Sequence, residues 1–416
     1  MTTEAQTRSI AALLADPKLT RVLDALDGDG EEVRIVGGAV RNTLLNLPVR
    51  DVDLATTAEP GVTVSRARGA RLTTVPTGIA HGTVTVIADS TPFEVTTLRR
   101  DVTTDGRHAV VAFGRDFAED AQRRDFTMNA LSISRDGNVH DPVGGLPDLE
   151  TRRVRFIGDA KQRIAEDYLR ILRLFRFHAA YGEGALDGDA RDAAIAGRAG
   201  LARLSAERLQ GELSKLLIAR RAGEVVVEMT DTGLLGLVIG GVAYAARLVR
   251  VVDLTANEPS DVVRRLGALA VATREDVARL RERLRLSNAA TKRLLEMVSL
   301  LESHQGQGAP TDAGVDAKLF AADSRDAVVD ALLFGHAASA ASLDDDAWRR
   351  AQTRARTASV PHLPVSGDDL LARGVAPGRS VGAVLKMLQA NWIRAGFPRD
   401  PATVSRLIDE VLGGGR

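Results

Sequence analysis

The sequence predicts an α+β protein, in which a small head built on a mixed β-sheet precedes an elongated all-α neck, body and tail. Short runs with the two-residue alternation of strands lie before residue 100. Beyond residue 160, apolar residues recur at the three- and four-residue spacing of amphipathic helices. The predicted domains are the head at 1–150, the neck at 151–220, the body at 221–303 and the tail at 304–416.

The composition is that of a globular, water-soluble protein. A chain of 416 residues is long enough for two to four domains, each with its own core. Basic and acidic residues number 55 each, so any basic surface for a nucleic acid must be local. Cysteine is absent, which excludes disulfides and thiolate metal sites and favours a cytoplasmic location. The N-terminus lacks the pattern of a signal peptide, and no apolar run is long enough to span a membrane.

The stretch 34–57, RIVGGAVRNTLLNLPVRDVDLATT, carries the most informative pattern of the chain. A short apolar run predicts a strand, and Gly37 and Gly38 then allow a tight turn, because glycine enters the left-handed region without steric cost. A helix is predicted over 39–47. The turn and the helix N-terminus offer backbone N–H groups to an anion, and Arg41 adds a guanidinium that suits phosphate.

Asp51 and Asp53 follow in a second predicted strand, where side chains two residues apart share a face. Two carboxylates on one face repel each other unless a cation lies between them. Oxygen ligands and a need for open positions favour Mg²⁺, with water and substrate phosphates as further ligands. A phosphate-binding turn before a metal-binding acid pair suits the transfer of a nucleotidyl group from an NTP. Either feature alone is more typical of a surface hairpin.

The glycine pair followed by Asp51-Val52-Asp53 resembles the signature of the polymerase β-like nucleotidyltransferases. The fuller run GGAVRNTLLNLPVRDVDLATT resembles their bacterial CCA-adding and poly(A) polymerase branch, class II. This resemblance implies two Mg²⁺ ions on Asp51 and Asp53. It also implies that Glu94, in a strand-like run, is a third catalytic acid; an exposed strand glutamate is the alternative. Asn42 departs from the branch, which usually has Asp there, so the role of that acid beside the metals is in question.

The segment 99–116 is polar and rich in turn residues, without a clear period. Such a pattern is typical of a mobile loop beside an active site or of a surface hairpin. The resemblance implies that this segment is the flexible element needed for the switch to adding A, which favours complete CCA addition.

The string RRDFTMNA, residues 123–130, sets two guanidiniums beside a carboxylate. This order suits a nucleotide, with arginine on phosphate and aspartate on the ribose 2′-hydroxyl; a helix start capped by Asp125 is an equally simple interpretation. The string resembles the second motif of the same branch, which implies that Arg124 and Asp125 contact the nucleotide.

The segment 163–178 predicts an amphipathic helix with polar positions at Asp167, Arg170, Arg173 and Arg176. A solvated basic face is the simplest interpretation. A sharper one is that Asp167 and Arg170 together read a base, because cytosine and adenine each present an amine donor beside a ring-nitrogen acceptor. Uracil and guanine present the reverse order, and unpaired buried polar groups can reject a wrong partner by about 10⁴-fold.

The run from Glu166 to Arg170, EDYLR, resembles the base-reading motif of the branch, which implies that role for Asp167 and Arg170. Arg173 and Arg176 are expected to hold triphosphate or primer phosphates. The helix predicted over 203–217, capped by Ser205, is expected to brace this helix through its charged residues, which are Glu207, Arg208 and Glu212.

The resemblance as a whole implies template-independent addition of C, C and A to the tRNA 3′ end from CTP and ATP, with a tail that binds tRNA. A poly(A) polymerase and a CC-only or A-only enzyme share the same head and are the alternatives. A non-catalytic RNA-binding protein with a degenerate head is a more remote one. The basic stretches 264–285 and 349–356 could follow an RNA backbone or form ordinary solvated surface.

Overall fold

The computed structural model describes residues 3–79, 82–105, 108–302 and 308–413. Its contacts divide the chain into two units, Met1–Val238 and Ile239–Arg416. The first unit combines a seven-stranded sheet, a two-stranded hairpin and helices, and the described part of the second unit is helical. The predicted α+β class is therefore confirmed. The predicted division into head, neck, body and tail stays a prediction, and residues 304–307 at its last boundary lie outside the described ranges.

The strands of the described residues are β1 (Val33–Val36), β2 (Asp53–Thr56), β3 (Thr73–Gly78), β4 (Thr83–Ala88), β5 (Thr91–Thr97), β6 (Arg99–Asp105), β7 (His108–Phe113), β8 (Ser132–Ser134) and β9 (Val139–His140). The larger sheet has the order β3-β4-β5-β2-β1-β8-β9. Strand β2 runs parallel to β5, whereas its other neighbour β1 and the remaining pairs are antiparallel. The first residue of β2 therefore lies at the centre of a mixed sheet.

The helices of the first unit are α1 (Glu4–Leu14), α2 (Pro17–Leu26), α3 (Gly38–Leu44), α4 (Pro60–Gly69), α5 (Phe117–Gln122), α6 (Gly145–Glu150), α7 (Ala160–Glu166), α8 (Leu169–Tyr181), α9 (Gly188–Ala196), α10 (Ala206–Leu217) and α11 (Ala222–Asp231). Helix α12 (Leu234–Ile239) contains the boundary between the units. The helices of the second unit are α13 (Ala245–Leu254), α14 (Val262–Ala270), α15 (Arg274–Leu284), α16 (Asn288–Glu302), α17 (Asp312–Ala321), α18 (Arg325–Ala338), α19 (Asp346–Thr357), α20 (Gly367–Ala372), α21 (Arg379–Arg394) and α22 (Pro401–Gly413). No helix in the described part of the chain is long and apolar enough to cross a membrane.

Two predicted elements differ from the structure in their extent, and a third segment takes one of the two arrangements that were expected for it. Helix α3 ends at Leu44 rather than at residue 47, because Asn46 takes a left-handed conformation with φ of 52°. Strand β2 begins at Asp53, so Asp51 lies in the segment before the strand. The segment 99–116 forms the antiparallel hairpin β6–β7, the second of the two expected arrangements, and residues 106 and 107 lie outside the described part.

The helix predicted over 163–178 is interrupted, and this correction matters for the site. Helix α7 ends at Glu166, Asp167 has the extended dihedral angles −154° and 108°, and α8 starts at Leu169. The ring of Tyr168 explains the break, since a Cβ on Gly200 would lie only 1.9 Å from its Cδ1 atom. Tyr168 thus occupies the space that the missing side chain of Gly200 leaves open, and a continuous helix would aim that ring elsewhere.

The second unit contains two packed regions that need no part of the sheet. Trp392 is fully buried in α21 and contacts the edge of Phe397, at a ring-centre distance of 4.9 Å, in a core shared with α22. In the other region, Asp330 of α18 is 1% exposed and accepts hydrogen bonds from Arg264 at 2.7 Å and Arg293 at 2.8 Å. Arg264 is therefore a buried structural residue rather than part of an RNA-binding surface.

We expect Asp330→Ala to destabilise the second unit by about 1–3 kcal/mol, because two buried guanidiniums lose this acceptor and keep only their less buried partners, Glu258 for Arg264 and Asp261 for Arg293. Denaturant unfolding followed by tryptophan fluorescence measures the loss, since both tryptophans lie in this unit. Asp323→Ala is the matched control, because its ion pair with Lys292 is exposed and contributes little. Equal midpoints for the two variants would contradict the structural role of Asp330.

A second prediction concerns pH. Burial and the charge of the neighbouring Arg221 guanidinium lower the pKa of His178 in α8 to about 4. The unfolded chain, in which a histidine has a pKa of about 6.5, therefore binds more protons than the folded chain between these values. We expect the stability of the first unit to be complete above about pH 6.5 and to fall as the pH drops toward 4. Circular dichroism melts should show this slope weakened in His178→Gln.

Candidate active site

The predicted acid pair lies at the start of the central strand. Asp53 is the first residue of β2 and is exposed, and Leu54 after it is buried. Glu94 of β5 is the register partner of Asp53 in the parallel pair, so the two side chains project from the same face. Although Asp53 is exposed as a whole residue, partial desolvation of its carboxyl raises its pKa, and the charges of Glu94 and Asp51 raise the pKa further. The charge of Arg124 lowers it. The three predicted acids and one predicted arginine therefore interact in one place.

This accumulation of negative charge suits a hard cation. In the described ranges, no group of three or more His, Cys, Asp or Glu side chains is arranged to hold a metal ion. Asp51 and Asp53 remain the candidate protein ligands, and a Mg²⁺ ion commonly uses one or two carboxylates together with water and substrate phosphates. Glu94 lies beside them as a further charge, and its assignment as a catalytic acid stays a prediction.

The glycine turn brings an arginine close to the strand end. Gly37 has φ of 67°, in the region that glycine favours, and a Cβ there would lie 3.4 Å from Nη1 of Arg124. The same Nη1 donates to the backbone oxygen of Asn129 at 3.3 Å. The turn and the Arg124 guanidinium therefore face each other. A larger residue in place of Gly37 would narrow the space between them, and a phosphate-binding turn requires that space for its anion.

Arg41 also lies at this turn, but its guanidinium is nearly buried, with 6% of the residue exposed. It donates to Asn129 Oδ1 at 2.7 Å and to the Tyr181 hydroxyl at 2.8 Å, and its remaining bonds go to Asn42 Oδ1. Its carbon Cζ lies 3.9 Å from the ring centre of Tyr181. An anion at the turn would therefore meet the charge of Arg41 rather than an open guanidinium fork, and direct phosphate contact stays a prediction. Asn42 serves here as a neutral acceptor for Arg41.

Asp125 is buried as well, with 8% exposed, and its oxygens are engaged. Oδ1 accepts from the Phe126 backbone N–H at 2.8 Å and from Asn129 Nδ2 at 3.0 Å, and Oδ2 accepts from Arg173 Nε at 2.7 Å. Burial alone would raise the pKa of Asp125, but the Arg173 charge and these hydrogen bonds outweigh burial and lower it. Asp125 stays ionised and fixes Arg173, and its predicted contact with a ribose stays a prediction.

Helix α8 carries its arginines over an aromatic side chain. Arg176 lies 4.1 Å from the ring centre of Phe177, and Arg173 and Arg41 lie 5.3 Å from it. The buried carboxylate of Glu212 in α10 accepts from Arg176 and lies 3.8 Å from a second guanidinium, that of Arg173. The prediction that Glu212 braces this helix is confirmed.

The predicted base-reading pair lies where α7 meets α8. Asp167 accepts from the Leu169 N–H at 3.0 Å and from Arg208 Nη2 at 2.7 Å, so the predicted bracing by Arg208 is confirmed. Arg170 donates to the Arg163 carbonyl at 2.8 Å and to Glu166. Asp167 and Arg170 are thus each held by a separate partner rather than by each other, and both side chains remain partly exposed.

The sequence located the arginines at 41, 123 and 124 but did not predict the side chains that orient them. Asp120 is the main example: it is 4% exposed and accepts from Arg123 at 2.6 Å and Arg124 at 3.2 Å. Its position three and four residues before the arginines is the spacing of helical ion pairs, and that signal was available. Tyr181 is 140 residues from Arg41, and nothing local in the sequence connects the two.

Comparison with known proteins agrees with this geometry. The family described as "Poly A polymerase head domain" matches residues 33–155. The Mus musculus protein "CCA tRNA nucleotidyltransferase 1, mitochondrial" is 34% identical over 381 residues, which cover 89% of this chain and 84% of that protein. The CCA-adding enzyme of Limosilactobacillus fermentum is 33% identical over 413 residues, with 96% of each chain covered. The crystal structure of the Bacillus stearothermophilus CCA-adding enzyme in complex with CTP matches with a TM-score of 0.70 and 25% identity, over 96% of this chain and 98% of that one.

Identity above 30% over most of both chains is shared with relatives from a mammal and from a bacterium. The matched head region contains the glycine turn, the acid pair and the 123–130 string, which first suggested the resemblance. This chain belongs to the family of the CCA tRNA nucleotidyltransferases, the CCA-adding enzymes.

Proposed function

We propose that this protein adds C, C and A to the 3′ end of tRNA from CTP and ATP, without a nucleic-acid template and with release of pyrophosphate. The observation that carries the proposal is a series of interactions, one electrostatic and one a hydrogen bond, that leads from the acid pair to α8. Arg124 acts on the charge of Asp53, and the backbone carbonyl of its neighbour Arg123 accepts from Arg170 at 3.5 Å. This series of interactions supports a single site that includes the proposed catalytic carboxylates and the proposed base-reading groups.

Transfer of a nucleotidyl group in this family needs a divalent metal ion, and we propose Mg²⁺ at Asp51 and Asp53. The raised pKa of Asp53 supports this, since a nearby cation would relieve the repulsion from Glu94 and Asp51. When bound, the metal ions would favour deprotonation of the primer 3′-hydroxyl and stabilise the charge on the leaving pyrophosphate. We assign Glu94 the role of a third catalytic acid that adds to the negative field.

The chain's own residues bind and orient the nucleotide. We propose that the turn at Gly37 and Gly38 offers its N–H groups to the triphosphate, with Arg124 opposite and the charge of Arg41 behind. The triphosphate or primer phosphates would lie on the arginines of α8, Arg173 and Arg176, which Asp125 and Glu212 hold in place. We also propose that Asp125 contacts the ribose 2′-hydroxyl of the nucleotide.

Base choice is assigned to Asp167 and Arg170. An acceptor beside a donor matches the amine and ring nitrogen of cytosine and of adenine, and it opposes the reversed pattern of uracil and guanine. Arg208 holds Asp167 and Glu166 holds Arg170, and both side chains remain partly exposed, as contact with a base requires. The cytoplasmic location and the binding of tRNA by the tail, residues 304–416, stay predictions from the sequence.

The direct test is extension of a tRNA that lacks its last three nucleotides. We expect CTP alone to add two residues, ATP alone to add none to this primer, and both together to add three and then stop. A long tail from ATP would instead identify a poly(A) polymerase, and a stop after two residues a CC-only enzyme. Addition of A only to a tRNA that already ends in CC would identify an A-only enzyme. No incorporation on either primer, with the protein folded, would favour the non-catalytic alternative.

Replacing one acid of the pair tests the metal assignment. We expect Asp53→Ala to lower the extension rate by at least a hundredfold, since even residues behind a metal ligand are often worth about 10–100-fold. Single-turnover extension at several Mg²⁺ concentrations measures the effect. Asp24→Ala is the control, because Asp24 forms an exposed ion pair with Arg135 in the same unit. A rate close to wild type in Asp53→Ala would refute the site.

Base selection is tested separately. We expect Asp167→Ala and Arg170→Ala to lose most of the preference for CTP and ATP over UTP and GTP, which unpaired polar groups can set as high as about 10⁴-fold. Ratios of kcat/KM for the four nucleotides measure it, with Arg191→Ala, from the exposed Arg191–Asp192 pair, as the matched control. Variants that slow down but still reject UTP and GTP would contradict the assignment.

A further inference from the structure

We propose that Asp120 is a positioning residue that sets the triphosphate contact of the head and the base contact of α8 in register with each other. No substrate contact is assigned to Asp120 itself. Its role is exerted through Arg123 and Arg124, and the inference rests on the function proposed above.

The carboxylate of Asp120 holds two consecutive arginines, one on each oxygen. Oδ1 accepts from Arg123 Nε at 2.8 Å and Nη2 at 2.6 Å, and Oδ2 accepts from Arg124 Nε at 3.3 Å and Nη2 at 3.2 Å. The acid is 4% exposed, and the two guanidiniums are only partly exposed. Charge-assisted bonds of this forked type fix orientation as well as distance. Both arginines therefore have their directions set by a single buried group.

Asp120 is itself held by a well-anchored short helix. Asp116 caps α5 by accepting from the Ala118 N–H at 2.7 Å, and the Asp120 N–H donates to the Asp116 carbonyl at 3.2 Å. The next residue, Ala121, packs in a small buried cluster with Ala130 and Ile157. The backbone of Asp120 thus cannot shift without disturbing the packing on both sides of the 123–130 string.

The two arginines that Asp120 holds lead to different parts of the site. Arg124 reaches the glycine turn, 3.4 Å from where a Cβ of Gly37 would lie, and acts on the charge of Asp53. Arg123 turns its side chain to Asp120 and its backbone carbonyl to Arg170, which donates to it at 3.5 Å. One carboxylate therefore lies between the residues proposed to hold the phosphates and a residue proposed to read the base.

Such a group acts before the nucleotide arrives. A free arginine side chain loses rotamer freedom when it is immobilised, and this loss opposes binding. An arginine that is already oriented loses less of that freedom on binding the triphosphate, which strengthens binding. Removing the Asp120 charge should therefore weaken nucleotide binding more than it slows the chemical step.

The test is Asp120→Asn in the full-length enzyme, with KM and kcat for CTP and ATP measured by tRNA extension. We expect KM to rise by about tenfold or more and kcat to change by less than about threefold. In the Arg124→Ala background, Asp120→Asn should raise KM far less, because the arginine that it orients is gone. An equal rise in both backgrounds, or an unchanged KM, would overturn the proposal.

A control variant separates positioning from general stability. Asp148 is another buried acid of the same unit, which accepts from Arg155 Nε at 2.9 Å and Thr127 Oγ1 at 2.6 Å. We expect Asp148→Asn to lower Tm about as much as Asp120→Asn while leaving KM for both nucleotides unchanged. A matching rise in KM for Asp148→Asn would assign the effect to stability and overturn the positioning role.

Two further outcomes are decisive. If Asp120→Asn does not fold, Asp120→Glu keeps the charge but places it one methylene further out, and we expect a smaller yet measurable rise in KM; an unchanged KM would count against the proposal. Failure of the proposed function is distinguished by the wild-type enzyme, which would then not incorporate CMP or AMP, whatever Asp120 does.

Discussion

The interaction on which this structure depends is the pairing of partly buried arginines with buried carboxylates. An exposed arginine is mobile, and a buried one without a partner is costly. The first unit meets both conditions with three acids that are each less than 10% exposed, namely Asp120, Asp125 and Glu212. Each fixes one or two guanidiniums, so that the positive charge of these arginines is oriented.

These ion pairs also join two kinds of structure. The sheet supplies Asp53 at the start of its central strand, where two carboxylates meet in register, and the junction of α7 and α8 supplies the groups assigned to the base. The contacts between them are polar: Asp125 with Arg173, Arg41 with Tyr181, and the Arg123 carbonyl with Arg170. Beneath them, Phe177 packs against Phe126 of the head, with ring centres 5.1 Å apart. The polar contacts orient the side chains of the site, and the pair of Phe177 and Phe126 excludes water from the space beneath these contacts.

The sequence predicted what local chemistry determines. Spacing predicts the turn at Gly37, a strand around Asp53 and the arginines of α8, although the strand begins at Asp53 rather than at Asp51. The fold class and family are confirmed. The break at Asp167 could not be found, because it depends on the ring of Tyr168 filling the space above Gly200. The burial of Arg41 likewise depends on a hydroxyl that is distant in sequence. Periodicity describes one helix at a time, whereas these features arise where two segments meet.

The position of Tyr181 over Arg41 has a consequence for how this protein can be divided. The match to the head-domain family ends at residue 155. Tyr181 and Arg173 lie beyond this residue, yet they hydrogen-bond to Arg41 and Asp125 within the matched segment. A fragment cut there would keep every strand but would leave the carboxylate of Asp125 without its guanidinium, and Arg41 without its aromatic cover. A fragment that keeps these contacts is therefore larger than the segment that matches the head-domain family, and it extends at least through α10.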